Sequence, residues 1–284
     1  MTADSITSPA IEIRGLTKSY GKQRAVDGLD LQVERGEIFA LLGPNGAGKS
    51  TTLEILEGHR KRDSGEVSVL GVDPARGDRV WRSKIGIVLQ DASDAALLTV
   101  LETVRMFARS YGRTRKPEDV LELVGLEDKA NSIVRTLSGG QRRRLDVALG
   151  IIGLPELVFL DEPTTGFDPE ARRQFWDLIK QLAREGITIL LTTHYLDEAS
   201  ALADRVGVIA AGKVVAIDTP TQLVKFADAS ATVRWQEGDQ VHTVHTDNPT
   251  QVILENSVAG TELDQLTVTR PTLEDAYLRL IGAA

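Results

Sequence analysis

A glycine-rich stretch at residues 43–51, GPNGAGKST, has a spacing that suits the binding of a phosphate chain. Gly43, Gly46 and Gly48 allow a tight turn whose backbone N–H groups point inward around phosphates. Lys49 is placed to reach the β- and γ-phosphates of a nucleotide, and Ser50 to offer its hydroxyl to Mg²⁺. We call 43–51 the phosphate loop, and its expected nucleotide-binding residues are Gly43, Pro44, Asn45, Gly46, Ala47, Gly48, Lys49, Ser50 and Thr51.

Two acidic residues end a second apolar run, LVFLDEP at 157–163. Successive side chains on a strand point to opposite faces, so Asp161 and Glu162 can serve different ends of one site. An acidic pair after a strand is usually only a solvated turn. Beside a phosphate loop, however, Asp161 is expected to hold the Mg²⁺ shell with Ser50. Glu162 is then expected to orient or deprotonate the attacking water.

A second anion site is predicted at residues 137–141, LSGGQ, which we call the signature stretch. Ser138, Gly139 and Gly140 open a predicted helix from Gln141 to about Ile151. Ser138 can cap this helix, and a helix N-terminus favours an anion. A capped turn without a ligand is the simpler interpretation. Lys49 already has a complete phosphate cradle, however, so this second anion site lacks a ligand within its own chain.

These residues are positioned by alternating strand and helix patterns. The continuous apolar run at 38–43 is typical of a strand that is covered on both faces, and strand patterns also occur at 157–160 and 187–193. Helix patterns lie near 49–57, 170–184 and 195–203, so the sequence predicts an α/β fold with a mostly parallel sheet.

Two regions differ from this core. Apolar residues at helical spacing between about 91 and 140 predict a small helical subdomain. After about residue 228 the sequence becomes rich in Val and Thr with period-2 character, and two helix patterns follow. We therefore predict a nucleotide-binding domain at 1–228 and a small α+β domain at 229–284.

Bulk properties exclude several classes of protein. The 284 residues carry a net charge of −8, which disfavours nucleic-acid binding as the main activity, and they contain no cysteine for disulfides or thiolate metal sites. The first nine residues lack the apolar core of a secretory signal. We also expect no segment that spans a membrane, because the most apolar stretch, 151–160, is interrupted by Pro155 and Glu156.

The phosphate loop, the signature stretch and the acidic strand end, in this order, resemble the nucleotide-binding subunit of an ABC transporter over nearly the whole chain. The resemblance implies an ATPase with the P-loop NTPase fold, with ATP and Mg²⁺ as ligands. It also implies a head-to-tail dimer, in which the signature stretch of one copy, Ser138 to Gln141, completes the ATP site of the other.

Four further residues match motifs of that family. Tyr20 resembles the aromatic residue that stacks on adenine, and Gln90 the glutamine that senses the γ-phosphate near Mg²⁺ and faces the transporter. Asp168 resembles a dimer-contact aspartate, although Phe167 stands where Leu is more usual. His194 resembles a switch histidine that assists Glu162, so Glu162, His194 and Gln90 are the expected catalytic set, with Ser50, Gln90 and Asp161 at the metal.

Three stretches, 137–152, 163–169 and 271–282, resemble the ATPases of bacterial drug exporters of the daunorubicin-resistance type. The resemblance implies two separate transmembrane permease subunits and a location on the cytoplasmic face of the plasma membrane. Two alternatives are an ABC exporter of lipid or polysaccharide, and a soluble ABC ATPase that acts on a cytosolic machine.

Other polar residues are not expected to form a site. His242 and His245 lie three apart on a predicted strand, so they point to opposite faces and make a poor metal pair. The basic run at 142–144 is expected to decorate the surface of the signature helix.

Overall fold

The computed structural model describes residues 8–88, 97–226, 230–257 and 263–282. The chain divides into two compact units, Met1–Ile217 and Asp218–Ala284. The second unit therefore begins before the predicted domain boundary at 229. It includes the helix Pro220–Phe226 because this helix packs on the C-terminal helix Leu273–Gly282.

The first unit follows the alternation of strands and helices that the sequence predicts. Its elements in chain order, with the strand that closes it, are β1 (Ile11–Tyr20), β2 (Gln23–Val33), β3 (Ile38–Leu42), α1 (Lys49–Leu56), β4 (Ser64–Val69), α2 (Arg79–Arg82), β5 (Ile85–Val88), α3 (Val100–Ala108), α4 (Pro117–Leu123), α5 (Gly139–Ile151), β6 (Leu157–Asp161), α6 (Pro169–Arg184), β7 (Thr188–Thr193), α7 (Leu196–Leu202), β8 (Arg205–Ala210) and β9 (Lys213–Asp218).

A six-stranded sheet with the order β5-β6-β7-β3-β8-β9 forms the centre of this unit. The pairs β5-β6, β6-β7, β7-β3 and β3-β8 are parallel. All residues of β3 and β7 are buried, as expected for strands covered on both faces. Parallel pairing brings the carboxyl ends of β3, β6 and β7 to one edge, where Leu42 pairs with Thr193 and Asp161 with Thr192.

A second, antiparallel sheet has the order β2-β1-β4. Tyr20 ends β1 and pairs with Gln23 at the tip of its hairpin with β2. The apolar faces of this sheet and of the central sheet share one core with α1, which includes Leu29, Phe39 and Leu53. Helix α1 thus connects the phosphate loop to both sheets.

Helices α3, α4 and α5 pack on one another in the region that the sequence predicts as helical. Thr99 and Glu102 form a reciprocal capping box at the start of α3. None of the helices in the described ranges is both long and apolar enough to cross a bilayer.

The second unit contains α8 (Pro220–Phe226), β10 (Ala231–Glu237), β11 (Gln240–Thr246), α9 (Pro249–Asn256), β12 (Asp264–Thr269) and α10 (Leu273–Gly282). Its three strands form an antiparallel sheet with the order β11-β10-β12. Val233 and Trp235 are buried on one face of β10, and Leu273 and Ala276 on α10. These bounds agree closely with the α+β pattern predicted for the C-terminal region.

Candidate functional site

The phosphate loop adopts a backbone path that side chains larger than glycine would obstruct. Gly48, directly before α1, has φ +103°, and a Cβ atom there would lie 2.3 Å from the carbonyl oxygen of Ala25. A Cβ atom on Gly43 would lie 2.4 Å from the carbonyl oxygen of Ile209. The loop is therefore pressed against β2 and β8, with the N-terminus of α1 at its open side.

Lys49 is only 4% exposed, although it carries a charge. Its Nζ donates hydrogen bonds to the carbonyl oxygens of Gly43 (2.8 Å) and Pro44 (3.2 Å) and lies 3.5 Å from Oε1 of Glu162. The cation is thus held in the centre of the loop by neutral carbonyls and one carboxylate. A phosphate that enters the loop would find this positive charge already in place.

Asp161 and Ser50, the two residues predicted at the metal, lie close together at the edge of the sheet. The Ser50 hydroxyl lies 3.4 Å from Oδ1 of Asp161, and the Thr192 hydroxyl donates to the same oxygen. Hydroxyl and carboxylate oxygens suit Mg²⁺, which keeps several water or phosphate ligands when few protein ligands are present. The oxygen donors of Ser50 and Asp161 therefore fit a magnesium site that is shared with the phosphates of a nucleotide.

Glu162 is held in an unusual backbone conformation directly after β6. Its φ is +44°, in the left-handed region that non-glycine residues rarely adopt. Its amide nitrogen lies 3.1 Å from both the carbonyl oxygen and the hydroxyl oxygen of Thr192. Oε2 of Glu162 lies 3.3 Å from Nδ1 of His194, so the carboxylate stands between this imidazole and Lys49.

A cavity of about 250 Å³ brings several of the predicted nucleotide-binding residues together. Tyr20, which lines it, is 42% exposed, and the guanidinium of Arg60 lies 5.2 Å from the centre of the Tyr20 ring. The cavity is lined by Tyr20, Gln23, Ala25, Asn45, Gly46, Gly48, Lys49, Ser50, Thr51 and Glu162.

The signature stretch lies at a different opening of the same unit. Ser138 and Gln141 form a reciprocal capping box at the start of α5. Gly139 lines a neighbouring cavity of about 370 Å³, which also includes Phe167 and which meets the first cavity at Glu162. No residue of the signature stretch lines the first cavity, and no residue of the phosphate loop lines the second.

Comparison with known proteins agrees with this arrangement. Residues 26–165 match the ABC transporter family. The chain is 37% identical to the daunorubicin resistance ATP-binding protein DrrA3 of Streptomyces coeruleorubidus, and the match covers 96% of both chains. The chain belongs to the family of ABC transporter ATP-binding proteins. It is thus an ABC-type ATPase with the P-loop NTPase fold that the sequence predicts.

Other ABC proteins show the same likeness. The chain is 47% identical to the daunorubicin/doxorubicin resistance ATP-binding protein DrrA of Streptomyces peucetius. That match covers 75% of this chain and 66% of the relative, which is just under two thirds of its length. It is 37% identical to the Nod factor export ATP-binding protein I of Rhizobium sp. (strain N33), and this match covers 96% of this chain and 97% of that protein. A solved dimeric ATP-binding cassette in a post-hydrolysis state with ADP and Pi is 28% identical, with a TM-score of 0.67 over 74% of this chain and 98% of that one.

Of the other predicted motif residues of this ATPase, the structure describes Asp168 and its neighbour Phe167. Asp168 caps α6 by accepting a hydrogen bond from the backbone N–H of Ala171 (2.8 Å). Phe167 packs edge-on against Phe175, with ring centres 5.6 Å apart, so the larger side chain is accommodated locally. Gln90 lies outside the residues that the structure describes.

The expectation that the whole basic run at 142–144 lies on the helix surface is wrong for one residue, Arg143. It is only 7% exposed, whereas Arg142 is exposed and Arg144 is partly buried. Its side chain donates to the carbonyl oxygens of Asp161 and Pro163. A possible signal was Asp146, three residues later on the same helix face and also buried, since buried charges on a helix commonly occur in such i, i+3 sets.

Two buried carboxyl groups near the site also escaped the sequence analysis. Glu198 on α7 is fully buried and accepts from the indole nitrogen of Trp176 (3.4 Å), and burial raises its pKa. Glu57, directly after α1, is 6% exposed. Both lie in helix patterns that look amphipathic in the sequence, where a glutamate is normally assigned to the solvent face.

The two histidines of β11 make separate contacts. His242 stacks on Trp235 with ring centres 5.1 Å apart, and His245 Nδ1 lies 3.1 Å from the Thr232 hydroxyl. These contacts agree with the prediction that they do not form a metal pair.

Proposed function

We propose that this ATPase works as a head-to-tail dimer that powers a bacterial exporter, with drugs or antibiotics as its cargo. The observation that carries this proposal is the split site. Lys49, Ser50 and Glu162 line one cavity, whereas Gly139 of the signature stretch lines a second cavity that shares only Glu162 with the first. A second copy of the chain, related by a two-fold axis, would supply the missing half of each site.

In the proposed complex, the phosphate loop and Lys49 bind the β- and γ-phosphates of ATP, while Tyr20 stacks on adenine. Ser50 and Asp161 would hold Mg²⁺, with Gln90 as a further ligand in the proposal. The metal, when bound, would neutralise charge on the phosphates. Lys49 needs no large movement for its role, because carbonyl oxygens already hold its ammonium group inside the loop.

Glu162 orients the attacking water and accepts its proton in this proposal. His194 lies 3.3 Å from the carboxylate and would hold it in position. Lys49 lies 3.5 Å from the other carboxylate oxygen, and ATP would compete for this cation. Binding of ATP would therefore release Glu162 from Lys49 and leave its carboxylate free to meet water.

The signature stretch of the second copy would close the site over the γ-phosphate. Ser138 and the first N–H groups of α5 would donate hydrogen bonds to it, favoured by the helix dipole. Hydrolysis would remove this bridge and let the dimer open. The solved dimeric relative in a post-hydrolysis state supports an assembly of this type.

A patch on the first unit is available for a membrane partner. Val80 on α2 is 66% exposed, and Met106 and Phe107 at the end of α3 are also exposed. Arg79 reaches the carbonyl oxygen of Ser110, which places α2 beside the end of α3. We propose that two permease subunits dock on this patch, one on each copy, and hold the dimer at the cytoplasmic face of the plasma membrane.

The drug cargo is supported by relatives that are named for daunorubicin resistance. A second candidate cargo is favoured by the relative named for Nod factor export, which matches nearly the whole chain. The cargo itself would contact the permease rather than this subunit.

Replacement of Glu162 by glutamine tests the hydrolytic part of the proposal. Glu162→Gln should lower kcat by about 10²-fold or more, because it removes a general base, while the Kd for Mg-ATP changes little. Lys49→Ala should instead weaken nucleotide binding itself. Glu122→Gln, at an exposed position on α4, is the matched control and should keep normal kinetics. Full ATPase activity of Glu162→Gln would contradict the assigned role.

A further inference from the structure

Arg143 makes contacts that a surface residue of the signature helix would not make. Its Nη2 donates to the carbonyl oxygen of Asp161 at 2.7 Å, and its Nε donates to the carbonyl oxygen of Pro163 at 3.1 Å. These are the carbonyl groups of the residues directly before and after Glu162. One buried guanidinium therefore binds the backbone on both sides of the proposed catalytic base.

The backbone at Glu162 needs such support. A glutamate with φ +44° is strained, and a strained conformation persists only where its surroundings determine it. Thr192 binds its N–H from the β7 side. Arg143 supplies the opposing contacts from the α5 side, so the direction of the Glu162 carboxylate depends on where α5 lies.

The same helix begins at the signature stretch. Ser138 caps α5, and Arg143 follows Ser138 within the first two turns of this 13-residue helix. From Leu145 onward the helix is buried, whereas residues 138–142 at its start are exposed or partly buried. A shift of the Ser138 end is transmitted to Arg143, because residues of one helix move together.

We propose that Arg143 is a positioning residue that couples the two ATP sites of the dimer. The proposal rests on the proposed head-to-tail assembly, in which Ser138 of one chain contacts the ATP that the partner binds. When that ATP seats the signature stretch, α5 and Arg143 fix the backbone of Glu162 in their own chain. Each site thereby reports its occupancy to the catalytic carboxylate of the other site.

Two substitutions of Arg143 separate positioning from folding. Arg143→Met removes all the donors and should lower kcat at least tenfold, while the Kd for Mg-ATP stays within about threefold of the wild-type value. Arg143→Lys keeps a cation and one donor and should recover part of kcat. The control is Arg144→Met, which removes the next arginine of α5, whose partner is Gln174 on α6, and it should keep normal kcat and Kd.

Mixed dimers, isolated through two different affinity tags, test in single-turnover reactions whether Arg143 acts on Glu162 of its own chain. In the trans dimer, one chain carries Arg143→Met and the other Glu162→Gln, so the only intact glutamate lies in the chain that lacks Arg143. In the cis dimer, one chain carries both substitutions and the other is wild type. The proposal expects the trans dimer to be at least tenfold slower than the cis dimer.

Equal rates, or a slower cis dimer, would overturn the proposal. A slower cis dimer would mean that Arg143 acts on the nucleotide of the partner through the signature stretch, not on Glu162 of its own chain. A different result is expected if the chain does not form the proposed dimer at all. In that case the wild-type rate per chain would be independent of chain concentration, while Arg143→Met would still lower kcat in a uniform preparation.

Discussion

At the scale of single residues, the buried carboxyl group of Glu57 links the stability of the fold to pH. Burial raises its pKa from 4.5 to about 8, and the nearby charges of Asp161 and Glu54 add to the effect. The folded chain thus binds this proton more tightly than the unfolded chain. The contribution of Glu57 to stability is complete below about pH 4.5 and is lost as the pH rises towards about 8.

Glu57→Gln should remove this loss. At 1.36 kcal/mol per pKa unit, the effect is on the order of 5 kcal/mol, so the variant should be clearly more stable than wild type at pH 8.5 and similar at pH 5. Urea unfolding without nucleotide or Mg²⁺ measures it. The control is Glu66→Gln at an exposed position on β4. A wild-type stability that does not change between pH 5 and 8.5 would show that Glu57 is not buried as a neutral acid.

Site residues that lie in short local motifs could be predicted from the sequence. Lys49, Ser50 and Asp161 belong to local stretches next to apolar strands, and the parallel register brings these stretches together. Arg143 could not be assigned in the same way. Its role depends on which face of α5 lies against the end of β6, a tertiary contact that the sequence pattern does not specify.

At the scale of elements, the phosphate loop depends on two glycines in different ways. Gly46 has φ +80° and open space around a Cβ position, whereas Gly48 has φ +103° and a backbone oxygen 2.3 Å away. Gly46→Ala should therefore cost only the left-handed strain, about 1–2 kcal/mol. Gly48→Ala should cost more and should abolish Mg-ATP binding, because the loop must move away from β2.

Thermal unfolding and equilibrium nucleotide binding of these two variants measure the difference. If Gly48→Ala bound Mg-ATP as well as Gly46→Ala, the close packing of the loop on Ala25 would be wrong.

Elements with a strong periodic or apolar pattern were predictable. The runs at 38–43 and 157–160 correspond to β3 and β6, and the strands and helices after residue 230 also agree with the pattern. Strand β5 and helix α2 could not be predicted in this way, because each has only four residues and is too short to show a periodic pattern. The order β5-β6-β7-β3-β8-β9 was not predictable either, since it arises from long-range pairing between strands.

At the scale of the whole molecule, we propose that each chain contributes half of two ATP sites, which form when two copies pair head to tail. This is the central claim of the account, and it can be tested with variants that fold normally. Lys49→Ala disables the phosphate loop. Gly139→Asp disables the signature stretch by placing a carboxylate beside the expected phosphate, and its Cβ meets no atom within 4 Å in its own chain.

The most direct measurement is the ATPase rate of these two variants, alone and mixed. Each should be inactive alone, because every composite site then contains one defect. In an equal mixture, half of the dimers are mixed and each holds one intact site, so up to roughly a quarter of the wild-type rate should return. A mixture that is no more active than its separate components would contradict the shared site.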